Sequence, residues 1–445
     1  MKEEKIMQVL LCLSISLIAG LMLSRVAKLL KLPAVTAYLV AGILVGPYLL
    51  GSLGIDGIGF VSMQNVKSFS IISDVALGFI AFSIGNEFRL AQLKKIGKQA
   101  TIIGILQAVI TTLLVDATLI LLHFAMPKTL PLEAAIVLGA IAAATAPAAT
   151  LMVVKQYKAK GTVTDILLPV VALDDAVGLI LFAISFGIAR AMNSGTVNIK
   201  SVILEPVLEV VLSLLLGAIM GVLFHICERF FHSRSKRLSV SIAFVLMTIA
   251  LSKLTFTVGG VHIAFSSLLT LMMLGTIFCN ICDFSEELME RVDRWTAPLF
   301  ILFFVLSGAE LKLSIFSNLM VVVIGLVYIL ARSAGKYSGA FASAKFSGCD
   351  DKIVKYLGIT LLPQAGVALG MARTVSQTAE FGPDGLIVYN ITLFAVLIYE
   401  LVGPMLTKIS LLKAGDIQPE GKTSARDDHI KKMQASAEAA DAAKK

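Results

Sequence analysis

The sequence predicts an all-α polytopic membrane protein of about thirteen transmembrane helices, and three observations carry that reading. Of its 445 residues, 57% are hydrophobic and 15% charged, where a water-soluble globular chain has about 45–50% and about 25%. The mean hydropathy is +0.88. A helical span needs roughly 20 apolar residues, and the chain holds apolar runs of that length in place of the alternating pattern of a membrane barrel.

The runs lie, in order, near residues 7–29, 33–50, 68–88, 99–124, 131–154, 163–189, 204–228, 238–256, 259–279, 295–311, 316–344, 353–376 and 385–409. The first has no small-residue cleavage site and leads directly to Lys28 and Lys31, so it reads as a retained span. The third contains D-V-A-L-G-F-I-A-F-S-I-G-N-E-F, with Asp74 within or just at the start of the apolar stretch and Glu87 near its cytoplasmic end, where it reads as a loop-edge residue. The fifth contains A-A-A-T-A-P-A-A-T, with Thr145, Pro147 and Thr150, and the twelfth T-L-L-P-Q-A-G-V-A, with Pro363, Gln364 and Gly366. Proline removes a helix hydrogen bond and glycine loosens the turn, so both runs are expected to be interrupted helices. Interrupted helices in corresponding places of two halves mark the substrate site of inverted-repeat transporters. Paired as runs 2–7 against 8–13, the two breaks fall fourth and fifth, an approximate match. Beyond run 13, residues 414–445 are polar and Ala/Lys-rich and read as a disordered cytoplasmic tail.

Lys and Arg positions report orientation. Connections after the odd-numbered runs, with Lys408 and Lys413, hold 21 basic residues, against 9 in the N-terminus and the opposite connections. This places the C-terminus in the cytoplasm and the N-terminus outside, in a cell membrane. The +8 net charge is thus a topology signal, and no nucleic-acid partner is implied; membrane lipids are the surrounding partner.

Ionisable side chains inside spans are costly and mark function. In the sixth run, V-V-A-L-D-D-A-V-G-L-I-L-F, Asp174 and Asp175 sit near the middle with no neighbouring charge. Two adjacent desolvated carboxylates repel and titrate as a coupled pair, which can exchange protons for a cation. In the eleventh, V-Y-I-L-A-R-S-A-G-K-Y-S-G-A places Arg332 and Lys336 one turn apart on one helix face, as counter-charges for the acids. Asp74 is a further candidate, with Arg332 as its expected partner. The five cysteines are scattered. Cys279 and Cys282 form a C-x-x-C pair, but with no second pair or histidine at ligand spacing they read as ordinary residues at a helix end. His225 and His232 read as interface residues near the cytoplasmic edge.

Together, L-P-A-V-T-A-Y-L-V-A-G-I-L-V-G-P (32–47), the run ending F-S-I-G-N-E-F, the Asp174-Asp175 pair, A-R-S-A-G-K (331–336) and L-L-P-Q-A-G-V-A-L-G (361–370) are specific. In this order the chain resembles the monovalent cation/proton antiporter superfamily over about residues 7–409, particularly the electrogenic sodium/proton antiporters and the potassium-efflux transporters. The resemblance implies an inverted-repeat antiporter fold with two crossed broken helices. It divides 1–413 into interleaved dimerisation and core subdomains and implies a homodimer that exchanges cations for protons without a cofactor. It makes Asp175 the principal cation and proton carrier, with Asp174 paired to the base of run 11. Lys336 resembles the lysine of the electrogenic branch and Arg332 the arginine of the wider superfamily. Thr145 and Thr150 would border the path of the cation, so that Asp175, Asp174 and Thr145 would hold it. Two departures stand out. Ala146 occupies a place where several relatives carry Asp or Ser, and only about 30 residues follow the last run, so nucleotide gating by a large cytosolic domain is not expected.

The function expected is secondary active exchange of Na+, with Li+ or K+ as alternatives, for protons by alternating access. A sodium-coupled organic anion symporter of related fold is the rival, although an anion site would present donors where this chain presents acids. No enzyme is expected, since none of His123, His225, His232 or His262 has a partner at catalytic spacing.

Overall fold

The computed structural model describes residues 2–54, 59–86, 88–127, 129–194, 204–258, 261–311 and 317–417; Glu87 and residues 418–445 of the tail lie outside them. The described chain is helical throughout, apart from one two-stranded hairpin. Among the described residues, nine helices are long and apolar enough to cross a bilayer. The four other apolar runs hold shorter or interrupted helices.

In chain order these are α1 (Lys2–Leu29), α2 (Ala34–Val45), the short α3 (Met63–Ser68), α4 (Ser70–Asn86), α5 (Leu90–Ala125), the half-helices α6 (Leu132–Ile141) and α7 (Pro147–Tyr157), and α8 (Thr162–Ser194). Then follow α9 (Glu205–Arg229), α10 (Arg234–Ser252), strands β1 (Phe256–Val258) and β2 (Val261–Ile263), α11 (Ser267–Ile281) and α12 (Ser285–Glu310). The chain closes with α13 (Leu319–Phe346), the half-helices α14 (Asp351–Thr360) and α15 (Gly366–Gln377), and α16 (Asp384–Ala414). The hairpin corrects the ninth run, whose helix starts at Ser267 and not near 259. F-T-V and V-H-I are rich in β-branched residues, which suit an antiparallel pair better than a helix.

Packing sorts the helices into two groups. In the first, α1, α2 and α4 pack with α10, α11 and α12, and α9 lies along α11; in the second, α5, α6 and α8 pack with α13, α14, α15 and α16. The first group is drawn together by glycines in reciprocal pairs. A Cβ on Gly42 of α2 would sit 2.0 Å from the Val305 carbonyl of α12, and one on Gly308 of α12 would sit 2.2 Å from the Leu39 carbonyl of α2. Gly85 of α4 and Gly275 of α11 repeat the arrangement against Met272 and Phe82. Small residues let backbones approach where no hydrophobic effect drives helices together.

The grouping also corrects the register of the internal repeat. The first six apolar runs (7–189) correspond to the last six (238–409), with α9 as the link, and the interrupted helix is fifth in both. The two groups meet along a seam with unlike ends. At the end carrying Lys31, α7 is tied across it: Lys155 Nζ reaches Asp293 of α12 at 2.6 Å and also bonds Ser83 of α4. Gln156 Oε1 accepts from the Ala34 N–H at the start of α2, at 2.8 Å, and Lys408 of α16 donates to the Lys31 carbonyl at 2.5 Å. At the other end, α15 presents Gly366, Gly370, Arg373, Thr374 and Gln377 on one exposed face, with open space beside both glycines. A lipid-facing strip carries large apolar side chains, as α1 does with Leu10, Met22 and Leu29; this face carries glycines, polar groups and the charged Arg373.

Candidate functional site

The interruptions follow from the residues in them. α6 stops at Ile141, six residues ahead of a Pro147 that has no N–H to continue the ladder and serves as the first residue of α7. α14 stops at Thr360, three residues ahead of Pro363, and α15 resumes at Gly366. The two breaks touch. The Ala146 N–H donates to the Pro363 carbonyl at 2.8 Å, and the Gln364 side chain donates to the Ile141 carbonyl at 3.0 Å. Gln364 is steadied by Tyr328, whose hydroxyl lies 3.1 Å away.

A helix end inside a membrane leaves carbonyls without partners and a partial negative charge. α13 supplies both cations that answer it. Arg332, fully buried, donates to the Ala142 and Ala144 carbonyls of the first break at 2.9 and 2.7 Å and to the Leu362 carbonyl of the second at 2.7 Å. Its guanidinium stands 4.5 Å over the Tyr399 ring. Lys336 takes the intervening Ala143 carbonyl at 2.5 Å. The sequence expected Asp74 beside Arg332, and the structure corrects this. Asp74 is half-exposed near the start of α4 and pairs with Lys253 of α10 at 3.0 Å, in the other helix group, while Arg332 spends its fork on backbone carbonyls.

Asp174 and Asp175 lie on α8 about 100° apart around its axis, and their surroundings differ accordingly. Asp174 faces α5 and α13. Its carboxylate is 2.6 Å from Lys336 Nζ and accepts from the Thr145 hydroxyl and the Gln107 amide. Lys336 also reaches Thr145 Oγ1 at 2.9 Å. Asp175 is 2% exposed, and neither of its oxygens has a hydrogen-bond partner among the described residues. Its helix face, with Leu168 and Ala172, packs into the same cluster as Ala146, Ala148 and Ala149 at the start of α7. One acid is saturated by the protein and its neighbour is unsatisfied, at the seam between the groups. Such a carboxylate needs a proton or a cation to be stable there.

The expected residues are thus brought together around the crossing, with Asp74 as the exception. Thr150 takes part only indirectly, its hydroxyl lying 3.3 Å from the Ala146 carbonyl one turn back. Gln107 was not read from the sequence, because a neutral amide in an apolar run carries no signal of charge. Asp116 and Glu400 are acids inside apolar runs and carry that signal in the sequence. Asp116 Oδ1, without a hydrogen bond, occupies the space a Cβ on Gly139 of α6 would need; Glu400 on α16 is buried with Oε2 unbonded.

The family described as sodium/hydrogen exchanger, transmembrane, matches residues 13–413. Two structures of the sodium proton antiporter MjNhaP1 from Methanocaldococcus jannaschii have a similar fold. One, at 19% identity, covers 92% of this chain and 99% of its own with a TM-score of 0.66. The other, at 18% identity, covers 93% and 98% with a TM-score of 0.71. No curated protein matches the chain.

Proposed function

We propose that this chain, which belongs to the transmembrane sodium/hydrogen exchanger family, exchanges a monovalent cation, Na+ before Li+ or K+, for protons across a cell membrane by alternating access. The observation that carries the reading is the contrast between the two acids of α8. Asp174 is fully bonded, and Asp175 beside it is buried without a partner. Cation and protons compete for Asp175, with Thr145 and Asp174 as neighbouring oxygen ligands, so exchange needs no gate that senses both. Arg332 neutralises the crossing permanently, since its bonds are to backbone; Lys336 can be released, since it shares Asp174 with the site.

A cation that draws the Asp174 carboxylate away from Lys336 lets the Lys336 ammonium release a second proton. Two protons then move per cation, and the cycle is electrogenic, coupled to the membrane potential by about 2.3 kcal/mol per net charge per 100 mV. The moving part is the second helix group with α7, the partner surface is the first group, and the chain functions as a homodimer with the Lys31 end in the cytoplasm. The polar, glycine-bearing face of α15 then opens outward, and the Lys155 ties close the cytoplasmic side. The MjNhaP1 structures, described as those of a sodium proton antiporter, favour this chemistry over the organic-anion alternative. Proteoliposomes test it. Asp175→Asn is expected to abolish Na+-dependent proton flux, and undiminished flux would sink the assignment. Transport indifferent to an imposed potential would remove electrogenicity.

A further inference from the structure

The C-x-x-C pair is separated by the fold. Cys279 Sγ lies 3.6 Å from the Phe88 carbonyl and 3.3 Å from that of Thr276. Cys282, the residue that ends α11, turns instead toward α9. There it meets His225 and Glu228, which stand three residues apart on one face of α9. One ligand atom from each of the three lies within 4.8 Å of the others.

Several details suit a metal better than packing alone. Glu228 is 2% exposed and Cys282 5%. The Glu228 carboxylate is divided: Oε1 lies 2.8 Å from Arg237 Nε, and Oε2 lies 3.9 Å from the Cys282 thiol. Arg237 is itself fixed, donating to the Phe231 carbonyl at 2.7 Å and lying 4.7 Å over the Phe284 ring. His225 Nδ1 is buried with no hydrogen-bond partner among the described residues, a condition that costs about 1–3 kcal/mol unless something fills the role. Three ligand types thus converge, two of them from a helix at i and i+3 and the third from the end of its neighbour.

We propose that His225, Glu228 and Cys282 form a binding site for Zn2+, at the end of the bundle away from the open face of α15. Imidazole with thiolate selects a zinc-like ion over Mg2+ or Ca2+, which prefer oxygen alone. On binding, the Cys282 thiol releases its proton to solvent and coordinates as thiolate, and His225 binds as neutral imidazole. Thiolate and carboxylate then balance the two charges of the ion. The ion pair with Arg237 draws the remaining carboxylate oxygen to its side and leaves the other facing the metal. A fourth position is left for water. The site pins α9, the link between the two six-run halves, to the end of α11, and shares no residue with the acidic pair.

The test uses untagged full-length protein in detergent, stripped with a chelator and titrated with Zn2+ alone, then with Co2+ as a spectroscopic substitute. One Zn2+ per chain is expected, with a rise in Tm, and the Co2+ form should show thiolate-to-metal charge-transfer absorption. His225→Ala and Cys282→Ser should each weaken binding by about tenfold or more, and Cys282→Ser should erase the absorption. Cys279→Ser should change neither. Glu228→Gln, close in shape, serves where a variant fails to fold, and retained cation-dependent proton flux identifies the folded ones. Zn2+ affinity unchanged in these folded variants, or a wild-type Co2+ complex without thiolate absorption, overturns the site.

Discussion

At the scale of single residues, Lys336 and Arg332 are two cations one turn apart on α13 with different obligations. Arg332 bonds three backbone carbonyls from two interruptions, so its loss unties the crossing itself. Arg332→Lys keeps the charge and loses the planar fork that reaches both breaks at once, and a fall in Tm of several degrees is expected in a thermal melt of the purified protein. Lys336 is bound to the Asp174 carboxylate, the Thr145 hydroxyl and a single carbonyl, that of Ala143. Lys336→Gln leaves Asp174 a buried carboxylate without its counter-charge, a loss of about 3–5 kcal/mol. The double variant Lys336→Gln with Asp174→Asn removes both charges and should recover most of that stability. If the paired lysine is what makes the cycle electrogenic, the Lys336→Gln protein that still folds should exchange without generating current on a solid-supported membrane. Current equal to wild type would place the second proton elsewhere, with Asp116 of α5 and Glu400 of α16 as the next acids to examine.

At the scale of elements, the same residue type has opposite meanings in different helices. Gly85 on α4 and Gly308 on α12 face backbone carbonyls, with a new Cβ placed at 1.9 and 2.2 Å; neither helix can yield without separating from its partner. Gly85→Ala should lower stability by about 1–3 kcal/mol or more, seen as a lowered Tm. Gly366 and Gly370 on α15 have nothing within 4 Å. Gly366→Val and Gly370→Val should leave the melt unchanged and slow cation flux, if that face lines the outer path; full flux in both would place the path elsewhere. Element type was largely legible in the sequence because bilayer length and proline position leave few choices. The twin interruptions announced themselves through Pro147 and Pro363. Partner choice was not legible. Asp74 selects Lys253 because of which group α4 joins, and Cys282 abandons Cys279 for α9 because an end residue leaves the spacing of its helix. Gln107 could be found only by seeing α5 pass Asp174, since nothing in an amide inside an apolar run announces a contact.

At the scale of the whole molecule, the seam between the helix groups decides which side of the membrane the acids can reach. Its ties lie at one end: Lys155 with Asp293 and Ser83, Gln156 with the start of α2, Lys408 with the Lys31 carbonyl. The Lys155–Asp293 pair is only partly buried, so it holds the closed side by a modest amount, as a gate that opens in every cycle must. Removing it should shift the population toward the state open on that side. The check is labelling of a cysteine at Gly370→Cys by a membrane-impermeant reagent added outside, quantified peptide by peptide so that the native cysteines do not interfere. Lys155→Ala should reduce that labelling and raise the access of the same reagent from the inside to a cysteine placed at Met152. Unchanged labelling would show that the ties do not set the equilibrium. Proton competition at the acids gives the same population a pH dependence. A cation that displaces one proton gains up to about tenfold in apparent affinity per pH unit, and one that displaces two up to about a hundredfold. Apparent Na+ affinity measured by flux from pH 6 to 9 should therefore rise more steeply than one decade per unit in the wild type and fall back to one decade in Lys336→Gln. A slope already at one decade in the wild type would make the exchange one for one.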